Sequence, residues 1–442
     1  MSFSVKNEVG QLKTVMVHRP GLEMSRLSPS NKTELLFDDV LWLKRAQEEH
    51  DKFSQKMTDQ GVEVLHFQEL LATSLENPQA REAALKHTLI PSQIDPRLHD
   101  GVEEHLAELD STELAEKLVA GISASEYAPL VGADLPDDAQ LFGSMVLACL
   151  PNHLFMRDSS AWYYGYGAVN RMSRPARWRE ALHLELIYRF HPRFAQGDWK
   201  RIEPYVYPLD KETEKQQEQY LDGLVRPTEL GDNWLPQHAP DDAIFDFPEA
   251  SLEGGDVLVL GNGALMIGIS ERTTFAGVQA LAQNLLADPT VKTVLAVRLP
   301  HAREFMHLDT VMTMVDYDSF IAYQGLGMAP SVAITRGTNG QLHYLFDEGE
   351  GFYDQIARAL EVPQIEVLVP FADPLTAERD QWNDACNLLA LAPRKVMAYE
   401  RNEAANQFLR DRGIEVLEVA GSELGRGRGG PRCMTCPVDR DE

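Results

Sequence analysis

The sequence predicts an α/β fold of five strand–strand–helix–strand units packed around a shared pseudo-fivefold axis, with one helical insertion. Three observations carry this reading. Residues 257–297, VLVLGNGALMIGISERTTFAGVQALAQNLLADPTVKTVLAV, give a strand, a Gly-Asn-Gly turn, a second strand, a helix over about 272–286 and a closing strand at 293–297. From residue 387, NLLALAPRKVMAYERNEAANQFLRDRGIEVLEV repeats that order, with Gly413 where a helix should stop. The N-terminal segment closes in nearly the same words, Gly61-VEVLHF against Gly413-IEVLEV. Units of this kind cannot each bury their own apolar strands, so they pack on one another; five of them make a five-bladed α/β propeller of ββαβ repeats. The alternative is a simple mixed open sheet.

In chain order, LKTVMVH is a strand, a helix follows near 40–60, and VEVLHF is the strand after Gly61. Residues 68–145 break the repetition: NPQAREAALKHTL, VEEHLAEL and STELAEKLVAGI are helical in pattern, and no β-rich run occurs among them. The expected organisation is therefore a catalytic propeller over 1–67 and 146–442 with an inserted α-helical subdomain at 68–145. AWYYGYGAVN then supplies a strand pair and RPARWREALHLELIYRF its helix. Residues 195–250 are acidic, punctuated by proline and without period, which predicts a long surface excursion. After the 257–297 unit, VMTMVDYDSFIAY, GFYDQIARALE and QIEVLVP form another, and the unit from 387 is the last.

A chain of 442 residues with 44% hydrophobic and 25% charged residues is a globular protein of ample core. Its 68 Asp+Glu against 41 Lys+Arg, a net charge of −27, argue against nucleic acid as partner, because phosphate binding requires gathered cations. Such a charge favours a cationic ligand or simply maintains solubility. The N-terminus scatters Lys6, Glu8 and Lys13 where a signal peptide would be apolar, and GSMVLACLP is the nearest approach to a membrane segment. Four scattered cysteines are no disulfide framework. A cytoplasmic location with no membrane association is the expectation, and a homo-oligomer is compatible with it. Two of the cysteines, Cys433 and Cys436, fall in a C-terminal tail, GGPRCMTCPVDRDE, that reads as exposed.

The segments that could carry chemistry are individually weak signals. FMRDSSAW sets Asp158 beside Arg157, an arrangement also expected of an ordinary ion pair. SLEGGDVLVL puts two glycines between Glu253 and Asp256 just before a strand, as a close backbone approach or a plain turn would require. HLDTV places His307 and Asp309 on one face of an incipient strand, since side chains two apart point the same way. GRGRGGPRCMTCP combines a glycine-rich approach with arginines that can lower a thiol pKa, as suits a nucleophile. A redox CxxC should open a helix, yet Pro437 follows here, and zinc would need two further ligands. Together, a thiol, a histidine and several carboxylates at strand ends of different repeats would converge on one axis. Cys and His make a nucleophile with its acid/base partner. Paired carboxylates match a planar guanidinium that stays charged at neutral pH.

With FMRD, EGGD, HLD and RCM in this order, and with GxLKxVMVHRPG and ELLFDDVLW near the N-terminus, the chain resembles the arginine deiminases over essentially its whole length. The resemblance implies a five-bladed propeller that hydrolyses L-arginine to L-citrulline and ammonia without metal or organic cofactor. It implies Cys433 as nucleophile, His307 as general acid/base, Asp158 and Asp309 as guanidinium clamps, and Glu253 orienting His307 and favouring its protonated form. It also implies Arg177 and Arg272 on the substrate carboxylate, assisted by Asn152, with Phe155 packed on the aliphatic stem and Gly427 in the closing loop. Asp256 is a further candidate support. The long stretch between PARWRE and EGGD departs from the family pattern and takes no role. Agmatine or a methylated arginine would be rival substrates, and a non-catalytic arginine-binding protein the rival from another class. The two carboxylate-binding arginines argue against agmatine, which would leave them uncompensated. Retention of the thiol argues against mere binding.

Overall fold

The computed structural model describes residues 3–90, 92–201, 250–346, 351–370 and 373–442. The chain opens with β1 (Leu12–Val17), α1 (Leu43–Asp59) and β2 (Glu63–His66). A run of helices follows: α2 (Phe67–Ser74), α3 (Pro78–Thr88), α4 (His99–Glu108), α5 (Ser111–Ala120) and α6 (Ala124–Val131). Asn77 caps α3 ahead of Pro78, and Asp110 with Glu113 forms a capping box on α5, so these polar residues fix where the helices start. The expected absence of strand here is corrected in one detail: β3 (Ile122–Ser123) pairs antiparallel with β4 (Met145–Leu147).

Then come β5 (Ser160–Tyr163), β6 (Tyr166–Val169), α7 (Trp178–Phe190) and β7 (Lys200–Arg201). The excursion expected at 195–250 lies, from residue 202 to 249, outside the described residues. Next are β8 (Val257–Gly261), β9 (Ala264–Ile269), α8 (Phe275–Leu285) and β10 (Thr293–Arg298), followed by β11 (Met312–Asp316) and β12 (Ser319–Ala322). A hairpin, β13 (Ser331–Arg336) and β14 (Leu342–Phe346), intervenes before α9 (Phe352–Leu360), β15 (Glu366–Leu368) and α10 (Pro374–Trp382). The chain ends with β16 (Leu389–Ala392), β17 (Lys395–Tyr399), α11 (Glu403–Arg410), β18 (Glu415–Val419) and β19 (Cys436–Arg440).

One pairing pattern recurs in five sheets. β5–β6, β8–β9, β11–β12, β16–β17 and β19–β1 pair antiparallel, whereas β6–β7, β9–β10, β12–β15, β17–β18 and β1–β2 pair parallel. Parallel pairs need a crossover, and the helix of each unit supplies it. The fold is mixed α/β.

One expectation is corrected and one element is added. The C-terminal tail is not exposed: it inserts as β19 beside β1, closing the first unit with the last strand of the chain and burying Cys436. The β13–β14 hairpin, a segment given no element in the sequence reading, extends the β8–β9–β10 sheet to five strands through antiparallel β10–β13 pairing. Burial is continuous across units, since α2, α5 and α7 share one apolar cluster with β5, β8 and β9.

Candidate active site

Each unit begins with a tight turn, and the chemistry sits on these turns. Met156–Ser159 make one helical turn carrying Asp158 before β5. Gly254–Asp256 make a 3-10 turn after Glu253 and before β8. Leu308–Thr310 make another before β11, preceded by His307 and containing Asp309. The segments before β16 and β19 carry Asn387 and Cys433. His307 and Asp309 therefore flank and occupy a 3-10 turn rather than one face of a strand. The glycines of EGGD are required by close approach. A Cβ on Gly254 would lie 2.1 Å from the Arg157 carbonyl oxygen, and one on Gly255 2.7 Å from the His307 ring.

These turns enclose a narrow cavity of about 10 Å³ lined by Asn152, Phe155, Asp158, Arg177, Arg272, His307, Gly427 and Cys433, among others. Glu253 and Asp309, both fully buried, stand behind that lining. The ten residues given catalytic or substrate-binding roles in the sequence are thus brought together. The His307 ring is held at Nε2 by Glu253 Oε2 at 2.8 Å, and its Nδ1 lies 3.8 Å from Asp158 Oδ1. Burial alone would lower the His307 pKa. Asp158 and the Glu253 hydrogen bond outweigh it and push the imidazole up to about 9, so the ring is protonated at neutral pH. Burial would in turn raise Glu253, but the His307 hydrogen bond and the Arg272 and Arg177 charges hold it below the usual carboxylate range.

The two aspartates are held alike. Asp158 Oδ2 accepts from Arg177 Nη1 at 2.6 Å and Asp309 Oδ2 from Arg432 Nη1 at 2.7 Å. The second oxygen of each, Oδ1, is buried and has no hydrogen-bond partner among the described residues, as is also true of His307 Nδ1. Cys433 Sγ lies 3.7 Å from Asp309 Oδ2 and accepts from Asn387 Nδ2 at 3.1 Å. Burial and the negative charges of Asp309 and Asp158 push this thiol well above its ordinary range, against the pull of Arg432. Asp256 anchors the His307 turn by accepting from the Leu308 amide at 2.9 Å; burial pushes it up to about 7.

Arg177 reaches the cavity with its donors engaged. Besides Asp158 it bonds Glu180 through Nε and Nη2, the latter at 2.8 Å. Arg272 donates through Nε to Glu271 at 3.0 Å. Asn152 donates to the Leu35 carbonyl at 2.7 Å, and Phe155 stacks on Phe37 with centroids 5.9 Å apart. A Cβ on Gly427 would strike both rings, at 2.6 and 2.9 Å, so the chain packs here only as glycine.

Three residues of the site were missed in the sequence. Asn387 binds Cys433 at both its amide and its sulfur; it lies in the one unit whose sequence offers no other site residue, which is the signal. Arg432 bridges Asp309 and Glu8, and its position beside Cys433 in RCM marks it. Arg428 lines the cavity, 4% exposed, and none of its three guanidinium nitrogens has a hydrogen-bond partner among the described residues. Nothing in GRGRGG distinguishes it from Arg426, which pairs with Asp39 at the surface.

Donor atoms of Asp158, Glu253 and His307 lie within 4.8 Å of one another, close enough to share a cation. Arg177 and Arg272 already stand 3.9 and 4.0 Å from the same Glu253 oxygen, which opposes a further positive ion there. The arrangement suits a different task. A buried thiol held protonated by carboxylates becomes nucleophilic when a cation arrives, with an imidazolium ready to protonate a leaving group.

The sequence matches the family described as arginine deiminase over residues 33–207 and 234–440. Among solved structures, SxtG, an amidinotransferase from Microseira wollei in the saxitoxin biosynthetic pathway, is 14% identical with a TM-score of 0.53, covering 100% of this chain and 98% of that one. The inosamine-phosphate amidinotransferase StrB1 from Streptomyces griseus is 15% identical with a TM-score of 0.52 and the same coverage of 100% and 98%. The N-terminal domain of ArgZ, a cyanobacterial arginine dihydrolase bound to product, is 13% identical with a TM-score of 0.50 over 97% of both chains. At these identities the likeness is one of fold.

Proposed function

The chain belongs to the arginine deiminase family, and from that premise we propose that it hydrolyses L-arginine to L-citrulline and ammonia through a covalent intermediate on Cys433. One observation carries the reading: the cavity gathers buried acceptors and buried donors that have no hydrogen-bond partner among the described residues. Asp158 Oδ1 and Asp309 Oδ1 are free acceptors near the thiol, and Arg428 offers free donors. An unsatisfied buried polar group costs about 1–3 kcal/mol. A ligand with a guanidinium at one end and a carboxylate at the other would relieve all of them, whereas agmatine would leave Arg428 unmatched.

The bound guanidinium neutralises Asp158 and Asp309, whose charges hold the Cys433 proton, and so favours thiolate. The thiolate attacks the guanidinium carbon. His307, protonated in the free enzyme, gives its proton to the departing nitrogen, the C–N bond breaks, ammonia leaves and an S-alkylthiouronium remains. Water then adds to that carbon, His307 takes its proton, the C–S bond breaks and citrulline is released. Positioning of this kind is worth up to about 7–11 kcal/mol in favourable cases. Arg177 acts on Asp158 in this scheme, fixing the oxygen that does not meet substrate, and Arg272 supports the carboxylate end. In the same reading the five sheets are blades of a closed pseudo-fivefold propeller, 68–145 is an inserted subdomain, and the enzyme works in the cytoplasm without cofactor. No helix of the described residues is long and apolar enough to cross a membrane.

Hydrolysis as proposed breaks the bond to a terminal nitrogen and releases ammonia, whereas amidino transfer breaks the bond to the δ-nitrogen, releases ornithine and passes the amidino group from the sulfur to an amine. Purified protein is incubated with L-arginine, with and without a primary-amine acceptor, and citrulline, ammonia and ornithine are scored. Citrulline and ammonia in equal amounts are expected whether or not the amine is present. Ornithine appearing only with the amine would assign a transferase, and no product across a wide pH range would reject the reading.

A further inference from the structure

Arg428 is held in an unusual way. It ends the 3-10 turn Leu424–Gly427 in the left-handed region, at φ 63°, where a residue with a side chain is uncommon. Its guanidinium carbon lies 3.6 Å from the centroid of the Trp382 ring, at the end of α10. No carboxylate of the described residues pairs with it, although Asp384 is buried two positions beyond Trp382. Asp384 and Asp38 attract it through space, and the aromatic face is the side-chain contact it makes among the described residues. Trp382 itself is 46% exposed, so it is not a core residue placed there by burial alone.

Stacking and hydrogen bonding use different parts of a guanidinium. The flat face meets the π system, while the N–H bonds radiate in the plane. A stacked arginine is thus fixed in orientation with its donors unspent. Arg177 presents the contrast: it is fixed by carboxylates, and its donors go to them.

We propose that Trp382 is a positioning residue of the reaction: its indole face fixes the plane of the Arg428 guanidinium and leaves the in-plane donors to the carboxylate of the substrate. This rests on the reading of the chain as an L-arginine hydrolase. A cation–π contact of this kind at a half-exposed site should govern affinity far more than the chemical step, since Trp382 stands outside the group of residues around the thiol.

The test is steady-state kinetics with L-arginine for wild type, W382A, W382L, W382F, R428A and the double variant W382A/R428A, with thermal melts for each. W382A and W382L are expected to raise KM about 3- to 30-fold, the span of a cation–π contact, with kcat within about twofold. W382F, which keeps an aromatic face, is expected to recover most of the loss; W382L keeps bulk and should not. In the R428A background the Trp382 substitution should change KM by less than about twofold, because the group it positions is gone. KM unchanged in both W382A and W382L, or an undiminished further rise in the double variant, would overturn the Trp382 role while leaving the hydrolase reading intact. Wild type that neither binds L-arginine by calorimetry nor converts it would overturn both.

Discussion

In the proposed reaction Glu253 controls the proton on which ammonia departure depends. Its carboxylate stands 2.8 Å from His307 Nε2 and, with Asp158, holds that ring near pKa 9 despite complete burial. Because His307 must carry a proton to release ammonia, kcat/KM should fall on the alkaline side near pH 9 in wild type. In Glu253→Gln, which keeps the shape and removes the charge, that limb should move to lower pH by about one unit or more; a pH–rate profile reads it. Stability follows the same titration. A pKa raised from 6.5 gives a stabilising contribution that is complete below 6.5 and lost as pH rises through about 9, so His307→Ala should flatten the stability profile within that window. Cys433→Ser is expected to abolish citrulline formation. Cys436→Ser should keep activity within a few-fold, because Cys436 faces the Ser160 carbonyl from β19 and not the cavity; the reverse result would misassign the nucleophile. The motif residues were legible because each lies in a short string of chemistry-bearing types. Asn387, 46 residues from the sulfur it binds, and Trp382, stacked on a loop arginine, owe their roles to tertiary approach that no local spacing encodes.

At the scale of elements, the repeating unit was readable because strand, helix and closing strand each have a period of their own. The N-terminal segment shows only strand, helix and strand for a reason that lies in topology: the remaining strand of its unit is β19, at the far end of the chain. The β13–β14 hairpin carried the ordinary signal, Asn339-Gly340 between alternating residues, but it falls inside a unit already complete without it. Helix α1 poses a separate problem. His50 on its buried face is fully inaccessible, and neither ring nitrogen has a hydrogen-bond partner among the described residues. Burial, aided by the nearby His18, pushes its pKa down to about 3. A depressed histidine stabilises fully above its unfolded pKa of 6.5 and loses that contribution as pH falls toward 3. At pH 5 this term amounts to ~2 kcal/mol. His50→Leu, which removes both unpaired nitrogens, should therefore stabilise the protein, by ~2 kcal/mol more at pH 5 than at pH 7.5. Urea unfolding at the two pH values measures it, and an advantage independent of pH would show that His50 is not held neutral.

The net charge of −27 acts on the whole molecule, and two measurements separate its consequences. Of 68 acidic residues the site engages few: Asp158, Glu253, Asp256 and Asp309, with Glu8, Glu180 and Glu271 on its arginines. The cavity lining itself is locally positive, with Arg177, Arg272, Arg303 and Arg428 against Asp158. Attraction of an arginine cation from a distance must therefore come from the remote surplus of acids, which is the part of the field that salt removes. Between 0.01 and 0.15 M ionic strength the screening length falls from about 30 to about 8 Å. Over that range kcat/KM for L-arginine should fall about threefold or more, since capture is slowed, while kcat, set by groups buried beyond the reach of salt, stays level. The same screening relieves repulsion among the surplus acids of the folded chain, so the melting temperature should rise over the interval in which capture weakens. Opposite responses of kcat/KM and melting temperature would tie both to one diffuse field. A kcat/KM that is flat or rises with salt would mean that the arginines of the lining, and not the total charge, govern the approach of substrate.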